Sequence, residues 1–148
     1  MSEGELKTVL FLCTGNYYRS RFAEVFFDSV AARNSLTWTA TSRGLALERG
    51  IYNVGPMSLS AIEALANLGI RPGAACSRFP IQVTIEDLQQ ANLIIALKRV
   101  EHQPLLQERY SGWAERVEYW QIDDEPGVLS LVEQNVRDLA ARLSKAIE

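Results

Sequence analysis

The sequence is poor in several residue types and patterns, and each shortage removes a class of protein. It has only two cysteines, Cys13 and Cys76, which is too few for a disulfide framework. With a single histidine, His102, they make a poor zinc site, so no metal or other cofactor is expected. Basic residues are not in excess. Fifteen Lys and Arg against 18 Asp and Glu give a net charge of -3, which offers no electrostatic footprint for nucleic acid. Long apolar runs are also missing: Val9 to Cys13 and Leu93 to Leu97 are far too short to span a bilayer, and no membrane partner is expected. Met1 to Lys7 contains two acids and no apolar core, unlike a signal peptide. A free thiol without an export signal suits a reducing compartment, so the expected location is cytoplasmic. No repeat or low-complexity tract appears, and 148 residues at 47% hydrophobic composition suit one globular domain spanning 1–148.

What is present reads as alternating strands and helices. Thr8 to Cys13 is a continuous apolar run of strand length, the pattern of a strand buried on both faces of a parallel sheet. A turn signal, Thr14-Gly15-Asn16, leads into a helix whose apolar face carries Phe22, Ala23, Phe26, Phe27, Val30 and Ala31. Further strands are expected at Thr37–Ser42, Asn92–Leu97 and Val117–Ile122. Helices are expected over Met57–Leu68, over about Val100–Tyr110 with Pro104 in its first turn, and over Leu129–Ile147. Thr84 with Asp87 three residues on predicts a capped helix start, and Gly44–Gly55 and Pro72–Pro80 read as loops. This alternation implies an α/β fold: a four-stranded parallel sheet with helices on both faces and right-handed crossovers. In such folds ligands bind beyond the carboxyl ends of the strands, and the first strand ends on Cys13.

Cys13 and Arg19 are separated by five residues. By itself the spacing is weak, because two cysteines among so many arginines produce it by chance roughly one time in six. Placement strengthens it, since the cysteine closes a buried strand and the arginine opens a helix. A loop of that length wraps an anion with its backbone N–H groups, and the helix N-terminus adds the positive end of its dipole. Gly15 permits the positive φ such a loop requires, and Asn16 tolerates it and ties the loop with its amide. A helix N-terminus and a guanidinium both favour the thiolate over the thiol, and a thiolate attacks phosphorus to give a phosphocysteine. Arg19 would grip two phosphate oxygens through its planar fork, and Ser20 would donate a hydroxyl bond to the departing thiolate. The plainer reading makes Cys13 a buried core cysteine and Arg19 an exposed helix-start residue.

Val-Leu-Phe-Leu-Cys13-Thr-Gly-Asn-Tyr-Tyr-Arg19-Ser20 resembles the phosphate loop of the low-molecular-weight protein tyrosine phosphatases, Cys-x-Gly-Asn-x-Cys-Arg-Ser. Thr41-Ser42-Arg43-Gly44 is similar to that family's Ser-Ala-Gly, whose serine supports the loop asparagine, and Ala91-Asn-Leu-Ile-Ile-Ala96 is similar to its third strand. The resemblance implies phosphate monoester hydrolysis without metal, acting on a phosphorylated protein or a small phosphomonoester. Cys13 is the implied nucleophile and Arg19 the implied phosphate grip. Thr14, Gly15, Asn16, Tyr17, Tyr18 and Ser20 are implied to surround the substrate, with Ser42 as loop support.

The likeness frays in four places. The family's Asp-Pro acid is interrupted here as Asp123-Asp124-Glu125-Pro126: counting from Trp120 places the proton donor on Asp124, with Asp123 and Glu125 as alternatives and a solvated acidic turn as the plain one. Tyr18 replaces the second cysteine that forms a protective disulfide, and Tyr17 brings a ring to the pocket. Arg21 replaces a proline and is expected to add positive charge beside the pocket. His102, remote in sequence from the loop, is expected to pack or face solvent, and Cys76 to be structural. The three-cysteine relay of related arsenate reductases is not assembled, because Lys98 stands where its second thiol would be. The competing function is a pseudophosphatase that binds phosphorylated partners without turnover.

Overall fold

The computed structural model describes residues 5–71 and 73–146; Met1–Gly4, Pro72 and the expected helix end at Ile147 lie outside them. Four strands, β1 (Lys7–Cys13), β2 (Trp38–Gly44), β3 (Leu93–Ala96) and β4 (Glu118–Tyr119), form one parallel sheet in the order β2-β1-β3-β4. Between and after them run α1 (Arg19–Arg33), α2 (Leu59–Asn67), α3 (Ala74–Ser77), α4 (Ile85–Gln90), α5 (Arg99–Arg109) and α6 (Leu129–Ala146).

The unbroken apolar run of β1 is explained by its central place between β2 and β3. Successive side chains alternate between faces, and both faces are covered. Val9 and Phe11 enter a core with Phe22, Phe26 and Phe27 of α1 and Val132, Val136 and Leu139 of α6. Leu10 and Leu12 enter the opposite core with Leu88 of α4 and Leu105 and Leu106 of α5. The strand is thereby fixed in register on both sides, and a one-residue slip would exchange every contact. Its last residue, Cys13, is held at the carboxyl edge of the sheet.

Several expectations shift in detail. β4 is shorter than Val117–Ile122: the regular ladder pairs Ile95 with Glu118 and Ala96 with Tyr119. Beyond it Trp120 turns onto Phe11, with ring centroids 5.7 Å apart, while Ile122 N–H still bonds the Leu97 carbonyl at 2.9 Å. Pro104 lies in the second turn of α5 rather than its first. The carbonyl it leaves without an i+4 donor belongs to Val100, an exposed residue. The loop expected over Pro72–Pro80 contains the single turn α3, and the 44–55 loop a 3₁₀ turn at Leu47–Gly50. At α4 the Thr84 hydroxyl accepts the Asp87 N–H at 3.1 Å and the Asp87 carboxylate accepts the Thr84 N–H at 3.0 Å, a complete capping box. Among the described residues no helix is long and apolar enough to cross a membrane.

Candidate active site

The loop from Cys13 to Arg19 is held with its carbonyls turned outward. The carbonyl of Cys13 accepts from Leu45 N–H at 2.9 Å, that of Thr14 from Ala46 N–H at 3.0 Å and that of Tyr17 from Ser58 N–H at 3.1 Å. The Asn16 carbonyl lies 3.4 Å from Arg21 Nη1. Among the described residues no peptide bond is cis, so each N–H that follows an outward carbonyl points the opposite way. The N–H groups of Thr14, Gly15, Tyr17 and Tyr18 therefore converge on the inside of the loop, which is the arrangement an oxyanion needs.

Of the two residues the sequence allowed for it, the positive φ falls on Asn16, at 53°, and not on Gly15. Asn16 sustains this conformation because its side chain is fully used. Nδ2 donates to Ser20 Oγ at 2.9 Å and Ser42 Oγ at 3.0 Å, and Oδ1 accepts from Arg78 Nη1 at 3.2 Å and Ile81 N–H at 3.1 Å. Gly15 instead lines the pocket, where a missing side chain leaves room. Gly44, at the end of β2, has a steric requirement: a Cβ there would lie 2.9 Å from the Thr14 carbonyl oxygen and 3.1 Å from Asn16 Cβ.

Beneath the loop lies a buried polar network. Ser42 Oγ donates to Glu24 Oε1 at 2.5 Å and accepts from Asn16 and from Arg78 Nη2 at 3.1 Å, and Arg78 also reaches Glu24 at 3.1 Å. Arg21 belongs to this supporting layer, which corrects its expected place beside the pocket. It is completely buried and donates to the carbonyls of Pro56 at 2.9 Å, Ala75 at 2.6 Å and Arg78 at 2.6 Å. Burial and the neighbouring Arg78 pull its pKa down from the usual arginine value. The reason for the placement is helical geometry: Arg21 starts the second half of the first turn of α1, on the face away from Cys13.

On the pocket side, Cys13 Sγ lies 2.8 Å from Ser20 Oγ. Cys13, Gly15, Tyr17, Tyr18, Arg19, Asn53 and Asp124 line one cavity. Thr14, Asn16 and Ser20 contribute to the loop, but their side chains bond Glu101, Ser42 and Cys13 respectively and do not line that cavity. Tyr17 is pinned by its hydroxyl to the Val54 carbonyl at 2.6 Å and Tyr18 to the Glu125 carbonyl at 3.3 Å. Burial, followed by the charge of Asp124, raises the Tyr18 pKa above that of an ordinary phenol. Of the three consecutive acids, Asp124 lies beside Arg19, with Oδ1 3.6 Å from Nε. Asp123 is paired with Lys98, and Glu125 lines the neighbouring groove with Pro126.

Three residues near the loop had no sequence reading as site members: Asn53, which lines the cavity, and the neighbours Glu101 and His102. Glu101, in the first turn of α5, accepts from Arg19 Nη1 at 3.1 Å, from Arg19 Nη2 at 2.6 Å and from the Thr14 hydroxyl. Burial alone would raise its pKa, but the adjacent His102 ring and the bonds from Arg19 and Thr14 outweigh it and hold the carboxyl well below the usual range. His102 is fully buried, which agrees with a packing role, and its Nε2 lies 3.2 Å from Glu101 Oε2. Their signal in the sequence was only position, one turn beyond the end of β3, whose carboxyl end adjoins that of β1. Cys76 is buried in the core that covers α1. Among the described residues no group of three or more His, Cys, Asp or Glu side chains is placed to hold a metal ion.

The family model described as low molecular weight phosphotyrosine protein phosphatase matches residues 8–148. The chain belongs to that family. It is a phosphatase-class hydrolase by that membership. A protein-arginine-phosphatase of Bacillus subtilis (strain 168) is 28% identical over 109 residues, which is 74% of this chain and 67% of the relative. The low molecular weight protein tyrosine phosphatase from T. tengcongensis is 26% identical and superposes with a TM-score of 0.71, over 95% of this chain and 97% of that one. YfkJ from Bacillus subtilis, 23% identical, shares the fold with a TM-score of 0.80 over 97% and 98% of the two chains. These solved structures cover nearly the whole chain, at 23–26% sequence identity.

Proposed function

We propose that this chain hydrolyses phosphate monoesters, with phosphotyrosine in proteins as the substrate class, through a phosphocysteine on Cys13. The observation that carries the reading is the joint lining of one pocket by Cys13, Arg19 and Asp124 at the mouth of an outward-carbonyl loop. Arg19 and the inward N–H groups bind the nonbridging phosphoryl oxygens. The Cys13 thiolate attacks phosphorus, an S–P bond forms and the P–O bond to the leaving group breaks. Asp124 gives its proton to the leaving oxygen, which departs as the neutral phenol. In the second step a water attacks phosphorus and gives a proton to the Asp124 carboxylate. The S–P bond breaks, and the thiolate departs toward Ser20 Oγ, 2.8 Å away. The rings of Tyr17 and Tyr18 at the pocket wall suit a flat aryl group.

The test is release of p-nitrophenol from p-nitrophenyl phosphate by the parent and by Cys13→Ser, with inorganic phosphate binding measured on both. Turnover by the parent alone supports the reading. Equal release by both, with phosphate still bound, would assign the pocket to a pseudophosphatase that captures phosphorylated partners.

A further inference from the structure

A guanidinium carries five N–H donors and two edges that can each grip a pair of oxygens. In Arg19 the edge formed by Nη1 and Nη2 is taken by Glu101, with bonds of 3.1 and 2.6 Å to its two carboxylate oxygens. The second Nη1 proton goes to the Ile122 carbonyl at 2.9 Å. What remains is the N–H of Nε and one N–H of Nη2, adjacent on the other edge. Nε is the atom that lies 3.6 Å from Asp124 Oδ1, and Arg19 and Asp124 line the cavity of Cys13 together. The free edge therefore faces the pocket and the occupied edge faces away from it.

Glu101 is itself fixed. The Thr14 hydroxyl bonds Oε2, and His102 Nε2 lies 3.2 Å from the same oxygen. The imidazole cannot turn, because its Nδ1 accepts the Lys98 N–H at 3.0 Å and the ring is completely buried. A carboxylate competing with substrate would sit on the pocket edge of Arg19; this one sits on the opposite edge and leaves two aligned donors open.

We propose that Glu101 is a positioning residue, which clamps the far edge of the Arg19 guanidinium so that its Nε–Nη2 edge is presented to two oxygens of the transferring phosphoryl group. This rests on Arg19 as the phosphate grip of the phosphatase reading. Its work is preorganisation: the guanidinium is aimed before substrate arrives, and the alignment counts most when the phosphoryl group is planar in the transition state.

The experiment compares parent, Glu101→Ala, Glu101→Gln and Arg19→Ala, with p-nitrophenyl phosphate as substrate and orthovanadate and inorganic phosphate as inhibitors. Both Glu101 variants should lose kcat by about 10- to 100-fold while KM changes by less than about threefold. Orthovanadate, which adopts the five-coordinate geometry, should weaken by a factor close to the loss in kcat/KM, and inorganic phosphate by much less. Thermal unfolding of each variant is followed in parallel. Higher activity with tighter phosphate binding would overturn the proposal by making Glu101 a competitor of substrate. So would parent-like kinetics, or a loss shared equally by phosphate and orthovanadate together with a lowered Tm. If Arg19→Ala retains parent kinetics, or the parent has no activity, the phosphatase reading fails and the proposal fails with it; Glu101 variants that match the parent while Arg19→Ala is inactive sink the proposal alone.

Discussion

Lys98 Nζ is paired with Asp123, while the next residue, Asp124, lies beside Arg19 at the pocket wall. One acid is drawn toward the start of α5 and the other toward the cavity of Cys13. The pairing separates their expected effects. Asp124→Asn should slow hydrolysis of phenyl phosphate about 100-fold, because a poor leaving group needs its proton. The loss should be smaller on p-nitrophenyl phosphate, whose phenolate departs readily. Asp123→Asn should stay within about threefold of the parent on both and lose only an exposed ion pair, worth at most about 1 kcal/mol. Steady-state rates on the two esters check this; a reversed order would move the proton donor to Asp123.

Ser20 offers a second test, directed at the other half of the reaction. Its Oγ accepts from Asn16 Nδ2 at 2.9 Å and lies 2.8 Å from Cys13 Sγ. With a lone pair committed to the amide, the hydroxyl proton is free to point at sulfur and to stabilise the thiolate as it leaves phosphorus. Ser20→Ala should therefore slow breakdown of the phosphocysteine more than its formation. Stopped-flow release of p-nitrophenol should show a burst followed by a steady rate reduced about tenfold or more. A proportionate loss in both phases would place the hydroxyl's contribution elsewhere.

Arg21 makes the third prediction, on stability. Its guanidinium joins the phosphate loop to the Pro56 segment and to the turn bearing Ala75 and Arg78, with three carbonyl bonds of 2.6–2.9 Å. Arg21→Met fills a similar volume but leaves those part-buried carbonyls without that donor, so chemical denaturation should report a loss of about 2–4 kcal/mol. Arg21→Lys should recover only part, since one ammonium cannot span three diverging acceptors. A loss below about 0.5 kcal/mol for the methionine variant would show that the carbonyls find other partners.

The contrast between Cys13 and Glu101 shows what was legible in the sequence. β1 could be read because both of its faces are apolar, and the loop after it because a cysteine, a glycine, an asparagine and an arginine sit in one contiguous segment. The same holds for Thr84 and Asp87, whose capping box spans four residues. Glu101, Arg78 and Glu24 act across 82, 62 and 18 residues of chain, on Arg19, Asn16 and Ser42. No local pattern distinguishes such a carboxylate or guanidinium from a solvated one. Arg21 was misplaced for a related reason: adjacency to the loop in sequence does not say which side of a helix a side chain takes, and its 100° of rotation per residue carried it to the supporting layer. β4 was overextended because Trp120 and Ile122 are apolar for the core they enter, and past Tyr119 the regular ladder gives way to their N–H bonds to the Ala96 and Leu97 carbonyls.

His102 carries the last prediction, in which pH is the variable. Burial depresses its pKa below the ordinary histidine value, with Glu101 opposing the shift only in part. The Lys98 N–H at Nδ1 favours the neutral ring protonated on Nε2. Between the depressed folded value and about 6.5 the unfolded chain binds a proton that the folded chain does not. Stability from this residue is therefore full above about pH 6.5 and falls as pH drops below it. His102→Asn retains an acceptor for the Lys98 N–H but does not titrate. Its stability relative to the parent should consequently improve on going from pH 7 to pH 5, whatever its value at pH 7. Urea denaturation of both proteins at pH 7, 6 and 5 measures the difference directly. Parallel pH profiles would mean that the folded protein takes up the proton as readily as the unfolded chain, with the imidazolium paired to Glu101 in place of a neutral ring.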